Sequence, residues 1–265
     1  MRAAWLSDIH LTDIAEDRAL AFCEKVREHE CDSVFLTGDI SESPVLLQHL
    51  KLLDANIQKP IYFVLGNHDF WYSSVPHIYN TLPQAISGLN FVRWMTNLGP
   101  LRLDDGVCVV GHDGWYDCRA GDVRNSRFIM PEWSKQQDYQ GSRTIDDIIE
   151  KSQAMSNLSI THFKKVLPDA IARFDKIYIL THVPPFEETH YHGGVQGTPH
   201  YQPYFVNKIL GELLRTAASL HPRKQFVVLA GHSHGRVSKT ILPNLTVHVA
   251  GAQHGAPEIQ PFVFT

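Results

Sequence analysis

Five short apolar runs in this chain end on the same kind of residue. "AAWL" (3–6) leads into Ser7-Asp8-Ile9-His10, "SVFL" (33–36) into Thr37-Gly38-Asp39, and "IYFVL" (61–65) into Gly66-Asn67-His68-Asp69. "KIYIL" (176–180) leads into Thr181-His182, and "QFVVLA" (225–230) into Gly231-His232-Ser233-His234. Each run is a few residues long and rich in Val, Ile, Tyr or Phe, which reads as a β-strand. "VCVV" (107–110) and "TVHVA" (246–250) have the same character. Most lack a clean alternation of apolar and polar residues, so both faces of the strands are expected to be buried.

Helical patterns alternate with the first strands, which puts the chain in the α/β class. "EDRALAFCEKVREHE" (16–30) has helical spacing, with Thr12 or Asp13 as its start signal. "SPVLLQHLKLLDAN" (43–56) has Ser43 at the N-cap and Pro44 at the first helical position. Further helices are expected within residues 142–173 and 203–219. Fewer helices separate the later strands, which predicts some antiparallel pairing. No repeat, low-complexity tract or linker breaks the chain, so residues 1–265 are read as one domain. The least regular stretches, 112–141 and 183–203, are rich in aromatic residues and His. Long irregular loops in a compact domain tend to carry function.

Composition removes several classes of function. No stretch approaches the roughly 18 consecutive apolar residues of a membrane span. The start "MRAAWLSDIH" enters a strand without an apolar signal region, so a cytoplasmic location and no membrane partner are expected. Cys23, Cys31, Cys108 and Cys118 have no C-x-x-C spacing and are expected to be buried free thiols. A net charge of −4 gives no bulk attraction to nucleic acid or anionic membranes. That does not count against a phosphate substrate, because bound divalent cations reverse the local sign.

The 16 histidines are the unusual number. In open α/β sheets, ligands gather at the carboxyl ends of the strands, where five of these strands have Asp, Asn or His. Two divalent ions about 3.5–4 Å apart need several N and O donors and an anionic bridge. An aspartate can bridge both ions, and neutral imidazoles fill further positions without overloading the site with charge. The donors of D-x-H and H-x-H converge when the backbone turns sharply past a strand. Gly38, Gly66 and Gly231 suit such turns because glycine tolerates unusual backbone angles. Any one of these turns alone would pass as polar surface, but the ordered set reads as a metal site.

The series Asp8-x-His10, Gly38-Asp39, Gly66-Asn67-His68-Asp69, His182 and Gly231-His232-x-His234 resembles the calcineurin-like metallophosphoesterase family. The resemblance implies a four-layer α/β/β/α sandwich of two mixed sheets, with the active site where loops meet at one edge. It implies a hydrolase that depends on two divalent metal ions. Asp8, His10 and His234 would hold one ion, Asn67, His182 and His232 the other, and Asp39 would bridge them. These donors suit Mn, Fe, Zn or Co. A hydroxide held between the ions would attack phosphorus in line. His68 would be the catalytic histidine beside the leaving group.

The chain departs from two branches of that family. "GDISES" (38–43) has no Asp three residues after Asp39 and no Arg-Gly, and the chain reads GNHD, so it differs from the protein Ser/Thr phosphatases. Glu42 stands where purple acid phosphatases have Tyr. Glu42 is either a carboxylate that orients His68 and raises its pKa or a solvated residue before a helix. Similarity to compact bacterial-type enzymes implies a phosphodiesterase on a small nucleotide-type phosphoester or a nucleic-acid end. A phosphomonoesterase of the same fold is the alternative. A non-catalytic metal-binding scaffold is the alternative from another class, which the filled ligand positions disfavour.

The remaining histidines divide by context. His112 and His192 are expected at the substrate pocket, with His190 or His200 beside His192 on phosphate and His254 at the border. Trp115 and Tyr116 either stack on a substrate ring or cap the core. His29, His49, His77, His162 and His221 are expected at the surface, and His248 packed in a strand.

Overall fold

The computed structural model describes residues 2–261. The chain begins with β1 (Ala3–Leu6), α1 (Glu16–Glu28), β2 (Ser33–Thr37), α2 (Ser43–Ile57), β3 (Ile61–Val64), α3 (Val75–Ala85) and β4 (Val92–Trp94). These strands form one sheet in the order β1-β2-β3-β4, and every pair is parallel. A helix in each connection returns the chain in the same direction, as a parallel sheet requires. Next come β5 (Leu101–Asp104), β6 (Val107–Gly111), α4 (Glu132–Lys135), α5 (Ile145–Arg173) and β7 (Lys176–Leu180). A small hairpin, β8 (Tyr191–His192) and β9 (Val195–Gln196), precedes α6 (Gln202–Phe205) and α7 (Lys208–Leu220). The last strands are β10 (Gln225–Ala230), β11 (Val237–Leu242) and β12 (Leu245–Val249).

The second sheet has the order β11-β12-β10-β7-β6-β5. Its four inner strands are parallel, and both edge strands are antiparallel to their neighbours. Mixed pairing is thus confined to this sheet, which corrects the expectation that both sheets are mixed; tight turns, not helices, join β5 to β6 and β11 to β12.

The strands β1, β2, β3, β6, β7 and β10 are buried on both faces over most of their length. Ala4, Leu6, Val34, Leu36, Ile61 and Phe63 pack with Phe22, Val26, Leu46 and Leu50 of α1 and α2. The alternate residues Ala3, Trp5, Phe35 and Val64 meet Val109, Tyr178, Leu180 and Leu229 of the second sheet. On that sheet's outer face Ile177, Ile179, Phe226 and Val228 lie under Phe163, Leu167, Leu210 and Leu214 of α5 and α7. Helix, sheet, sheet and helix follow in turn, the expected four-layer sandwich.

Four local expectations need correction. The cap of α1 is Ala15, while Thr12 and Asp13 lie in the preceding 3₁₀ turn Leu11–Asp13. Their side chains face elsewhere: Thr12 Oγ1 is 2.8 Å from Ser41 Oγ, and Asp13 pairs with His254. The helix expected over 203–219 is split into α6 and α7. Val206 is extended, and Asn207 starts α7 by accepting the Leu210 N–H on Oδ1 at 3.2 Å. The cap of α2 is Glu42, and Ser43, expected there, is the first helical residue; helix α3, capped by Ser74, was not apparent from the periodicity of the sequence.

Candidate active site

The turns after β1 and β2 are bonded to each other through the backbone, as are those after β7 and β10. The Asp8 N–H donates to Gly38 O at 3.0 Å, His10 N–H to Asp39 O at 3.0 Å, and Gly231 N–H to His182 O at 2.8 Å. Asp8, His10, Asp39, His232 and His234 all have positive φ, between 39° and 70°. An L residue in that region costs roughly 1–2 kcal/mol. Here the conformation turns each side chain back across the strand ends, and non-glycine residues kept in it cluster at functional sites.

The glycines serve two different purposes. Gly38, with φ of 88°, supplies a backbone angle that side chains resist. Gly66 and Gly231 do not have positive φ, which corrects the sequence expectation. A Cβ on Gly66 would meet Asp39 Oδ1 at 2.2 Å, and one on Gly231 would meet Ser7 Oγ at 2.1 Å. Glycine is required there for close approach of a carboxylate or hydroxyl.

Two groups of donors flank Asp39. On one side His10 Nε2 and His234 Nε2 are 3.3 Å apart, and His234 Nε2 is 3.4 Å from Asp8 Oδ1. Asp8, His10, Asp39 and His234 each offer an atom within 4.8 Å of the others. On the other side Asn67 Oδ1 lies 3.0 Å from His182 Nε2 and 2.8 Å from His232 Nδ1. The second ring nitrogen of each histidine is already committed. His182 Nδ1–H donates to Thr37 O at 2.8 Å, and His232 Nε2–H donates to Tyr204 O at 2.9 Å. Asn67 Nδ2 faces Glu132 Oε2 at 3.5 Å, which fixes the amide with its oxygen inward. Three electron pairs therefore converge, in a buried place, with no proton between them. A divalent cation matches such a donor set, and backbone carbonyls that fix the free nitrogen are typical outer partners of metal-binding histidine.

The electrostatics point the same way. Burial pushes the Asp39 carboxyl well above its ordinary value, and the charges of Asp8 and Asp69 add to this. Burial also pushes His10 and His232 down to about 3, so both rings are neutral at neutral pH, as ligation requires. A histidine ordinarily titrates at 6.5. Between that value and about 3 the unfolded chain binds protons that the folded chain does not. The stabilising contribution is therefore complete above the unfolded value and is lost as pH falls through this window. The raised Asp39 carboxyl acts in the opposite sense in metal-free protein, because above the ordinary value of 3.8 the folded chain holds a proton there that the unfolded chain releases.

His68 sits beside both groups. Its backbone N–H donates to Asp39 Oδ1 at 2.9 Å, and its ring Nε2 is 3.8 Å from Asp39 Oδ2, with the side chain 18% exposed. Its ring stacks on Trp71 at 3.5 Å between centroids, and Lys135 Nζ lies 3.5 Å from the Trp71 ring centroid. Two groups so close cannot share one face, so the indole is sandwiched between them. Among the described residues the Glu42 side chain reaches only to Lys135 Nζ, at 3.9 Å. Lys135 and Trp71 thus stand between Glu42 and His68. Burial, with the charges of His10 and His182, pushes the His68 pKa down, and the sequence expectation that Glu42 raises it is corrected.

The other expected pocket residues fall in different places. His192 borders the H-x-H turn, with Nδ1 3.2 Å from Ser233 O. His112 is buried against His162 and Phe163 at the second sheet's helical layer. His162 is itself half-buried there, and not a surface residue. Trp115 and Tyr116 are core residues, the indole N–H donating to Tyr139 Oη. Sequence reasoning assigned no role to Asp69, whose carboxylate accepts the Ile40, Ser41 and Gly66 N–H groups at 2.8–3.0 Å. It ties the Asp39 turn to the Asn67 turn. Its signal was its place in GNHD, but two of its three partners, Ile40 and Ser41, lie in another loop.

Comparison with known proteins agrees with this geometry. The profile of the calcineurin-like phosphoesterase family matches residues 1–236. No curated protein matches the chain. Among solved structures, the phosphopantetheinyl hydrolase of Mycobacterium tuberculosis is 13% identical with a TM-score of 0.62, covering 94% of this chain and 89% of that one. A dimetal phosphatase of Danio rerio is 13% identical with a TM-score of 0.57, covering 95% and 87%. At these identities the likeness is one of fold. Because the family profile spans every strand-end turn that carries a donor, the chain belongs to the calcineurin-like phosphoesterase family and is a metal-dependent phosphoester hydrolase.

Proposed function

We propose that the chain is a phosphodiesterase that uses two divalent ions and acts on a small ester with a planar, nucleotide-type group. The observation that carries the substrate choice is a cavity of about 420 Å³ lined by Phe128, His190, His192, Tyr201 and Phe205, with Val195, Gln196, Gly197 and Thr198. It adjoins the site, since the Phe205 and His232 rings are 4.9 Å apart. Among the described residues, no Lys, Arg, Asp or Glu lines it. A ring stacked on such aromatic side chains gains about 1–3 kcal/mol. A monoester dianion calls for further cationic partners, whereas a monoanionic diester with an uncharged planar substituent suits this wall.

In this reading Asp8, His10 and His234 hold one ion, Asn67, His182 and His232 the other, and Asp39 contacts both. Bound there, the ions supply Lewis acidity toward the phosphoryl oxygens and lower the pKa of water. Thr37 O and Tyr204 O keep the His182 and His232 rings in the tautomers that leave a nitrogen free. Trp71 holds the His68 ring plane, and His68 offers a ring N–H to the leaving oxygen. Phe205 and Tyr201 orient the organic group so that the leaving oxygen faces His68.

The test is hydrolysis of bis-p-nitrophenyl phosphate beside p-nitrophenyl phosphate, on chelated protein with and without Mn²⁺. Metal-dependent turnover with the larger kcat/KM for the diester is expected. A preference for the monoester would replace the diesterase reading, and no turnover with metal bound would favour a scaffold.

A further inference from the structure

The irregular stretch 112–141 carries a hydrogen-bond network that ends beside the donors of the second ion. Tyr116, Glu132 and Tyr139 in this stretch are fully buried, as is Ser152 of α5, which joins them. An indole N–H can only donate, so the direction of the bonds follows. Trp115 Nε1–H donates to Tyr139 Oη at 2.9 Å, and Trp133 Nε1–H donates to Tyr116 Oη at 3.0 Å. Tyr139 O–H donates to Tyr116 Oη at 3.1 Å, which leaves Ser152 Oγ, 2.7 Å away, to donate to Tyr139. The Tyr116 oxygen therefore receives protons from both Trp133 and Tyr139. Its own proton is left for the Glu132 carboxylate beside it, whose charged form it stabilises. Bonds that run one way along such a chain strengthen one another.

Glu132 meets Asn67 on its other side, with Oε2 3.5 Å from Asn67 Nδ2. A carboxylate buried without a cation is costly, by several kcal/mol in order of magnitude. Lys135 of the same helix turns away, to the Trp71 ring and Glu42. The nearest place for a compensating cation is the point beyond the Asn67 amide, where Asn67 Oδ1 faces His182 Nε2 and His232 Nδ1. Tyr116 also supports that place directly, its ring stacking with His232 at 6.4 Å between centroids and 17° between planes.

We propose that Glu132, directed by Tyr116, is a positioning residue for the ion held by Asn67, His182 and His232. It keeps the Asn67 amide with its oxygen inward and supplies a buried negative charge that this ion balances. The proposal rests on the two-ion reading above.

The experiment titrates chelated full-length protein with Co²⁺, reading stoichiometry, the affinity for each ion and visible absorption. Wild type should bind two Co²⁺. In Glu132→Gln the new amide gives its oxygen to the Tyr116 proton, so its NH₂ faces Asn67 and turns that amide over. One ion should then bind about 10–100-fold more weakly, with altered absorption, while the other keeps both values. In an Asn67→Asp background the sign should reverse. There two carboxylates oppose each other, and Glu132→Gln, which puts a donor between them, should strengthen the same ion. Tyr116→Phe keeps the ring against His232 and should weaken that ion by less than Glu132→Gln, which carries the test if Glu132→Gln does not fold. Asp54→Asn is the control, since Asp54 is a buried carboxylate that accepts the Phe91 and Val92 N–H groups and touches no donor. It should lower the thermal midpoint and leave both affinities unchanged. Wild-type affinity and absorption for both ions in Glu132→Gln would overturn the proposal. A loss of the same sign in the Asn67→Asp background would also overturn it, by marking a purely structural role. Wild type that binds fewer than two Co²⁺ would overturn the two-ion reading itself.

Discussion

Asp39→Asn leaves the protein folded, unable to hold two ions, and with kcat/KM lowered by about 10³-fold. Asp39 is the carboxylate that faces both donor groups. Oδ2 is 3.8 Å from His10 Nε2, and Oδ1 is 3.4 Å from His182 Nε2. Asparagine keeps the shape and can still accept the His68 N–H on its oxygen, but it removes the anion between the two positions. Burial and the neighbouring Asp8 and Asp69 charges already disfavour ionised Asp39 in metal-free protein. Loss of that charge should therefore leave the metal-free thermal midpoint equal or raised. Metal analysis, calorimetry and kinetics on the one variant check all three statements. Full activity with two bound ions would sink the site assignment.

His68→Ala separates ligation from catalysis. The variant should retain both ions, because its backbone N–H still reaches Asp39 and its ring lies outside the two convergent donor groups. Loss of a general acid or hydrogen-bond donor lowers kcat by about 10²–10⁴-fold. The loss should be smallest for p-nitrophenolate, which departs with little help from a proton, and largest for an alkoxide. A series of diesters with leaving groups of rising pKa measures this directly, and the dependence of log kcat on that pKa should steepen in the variant. An equal loss across the series, together with a missing ion, would make His68 a ligand instead.

Much of the architecture was legible because burial writes itself into local composition. The runs at 33–36 and 176–180 have buried residues on both faces, so they read as continuous apolar strands. Their Asp, Asn and His ends were legible for a similar reason, since the residue after a strand is fixed by chain continuity. The split at Val206-Asn207 was not legible, because a helical period continues across it and only the cap bond of Asn207 breaks it. Gly66 and Gly231 were noticed for the wrong cause. What they avoid is a clash with Asp39 and Ser7, and no local pattern encodes a close approach between separate loops.

By itself the sequence determined which donors stand at the ends of which strands, and that they could converge if those ends met. Only the tertiary structure decided how each donor is used. His182 and His232 offer opposite nitrogens, one leaving Nε2 free and the other Nδ1, because the carbonyls that take their N–H groups belong to Thr37 and Tyr204. Glu42 is kept from His68 by Lys135 and Trp71, and His254 is brought beside His10 by a turn nearly the whole chain away. Tautomer, access and proximity depend on partners distant in sequence, and only a packed chain brings those partners within hydrogen-bonding distance.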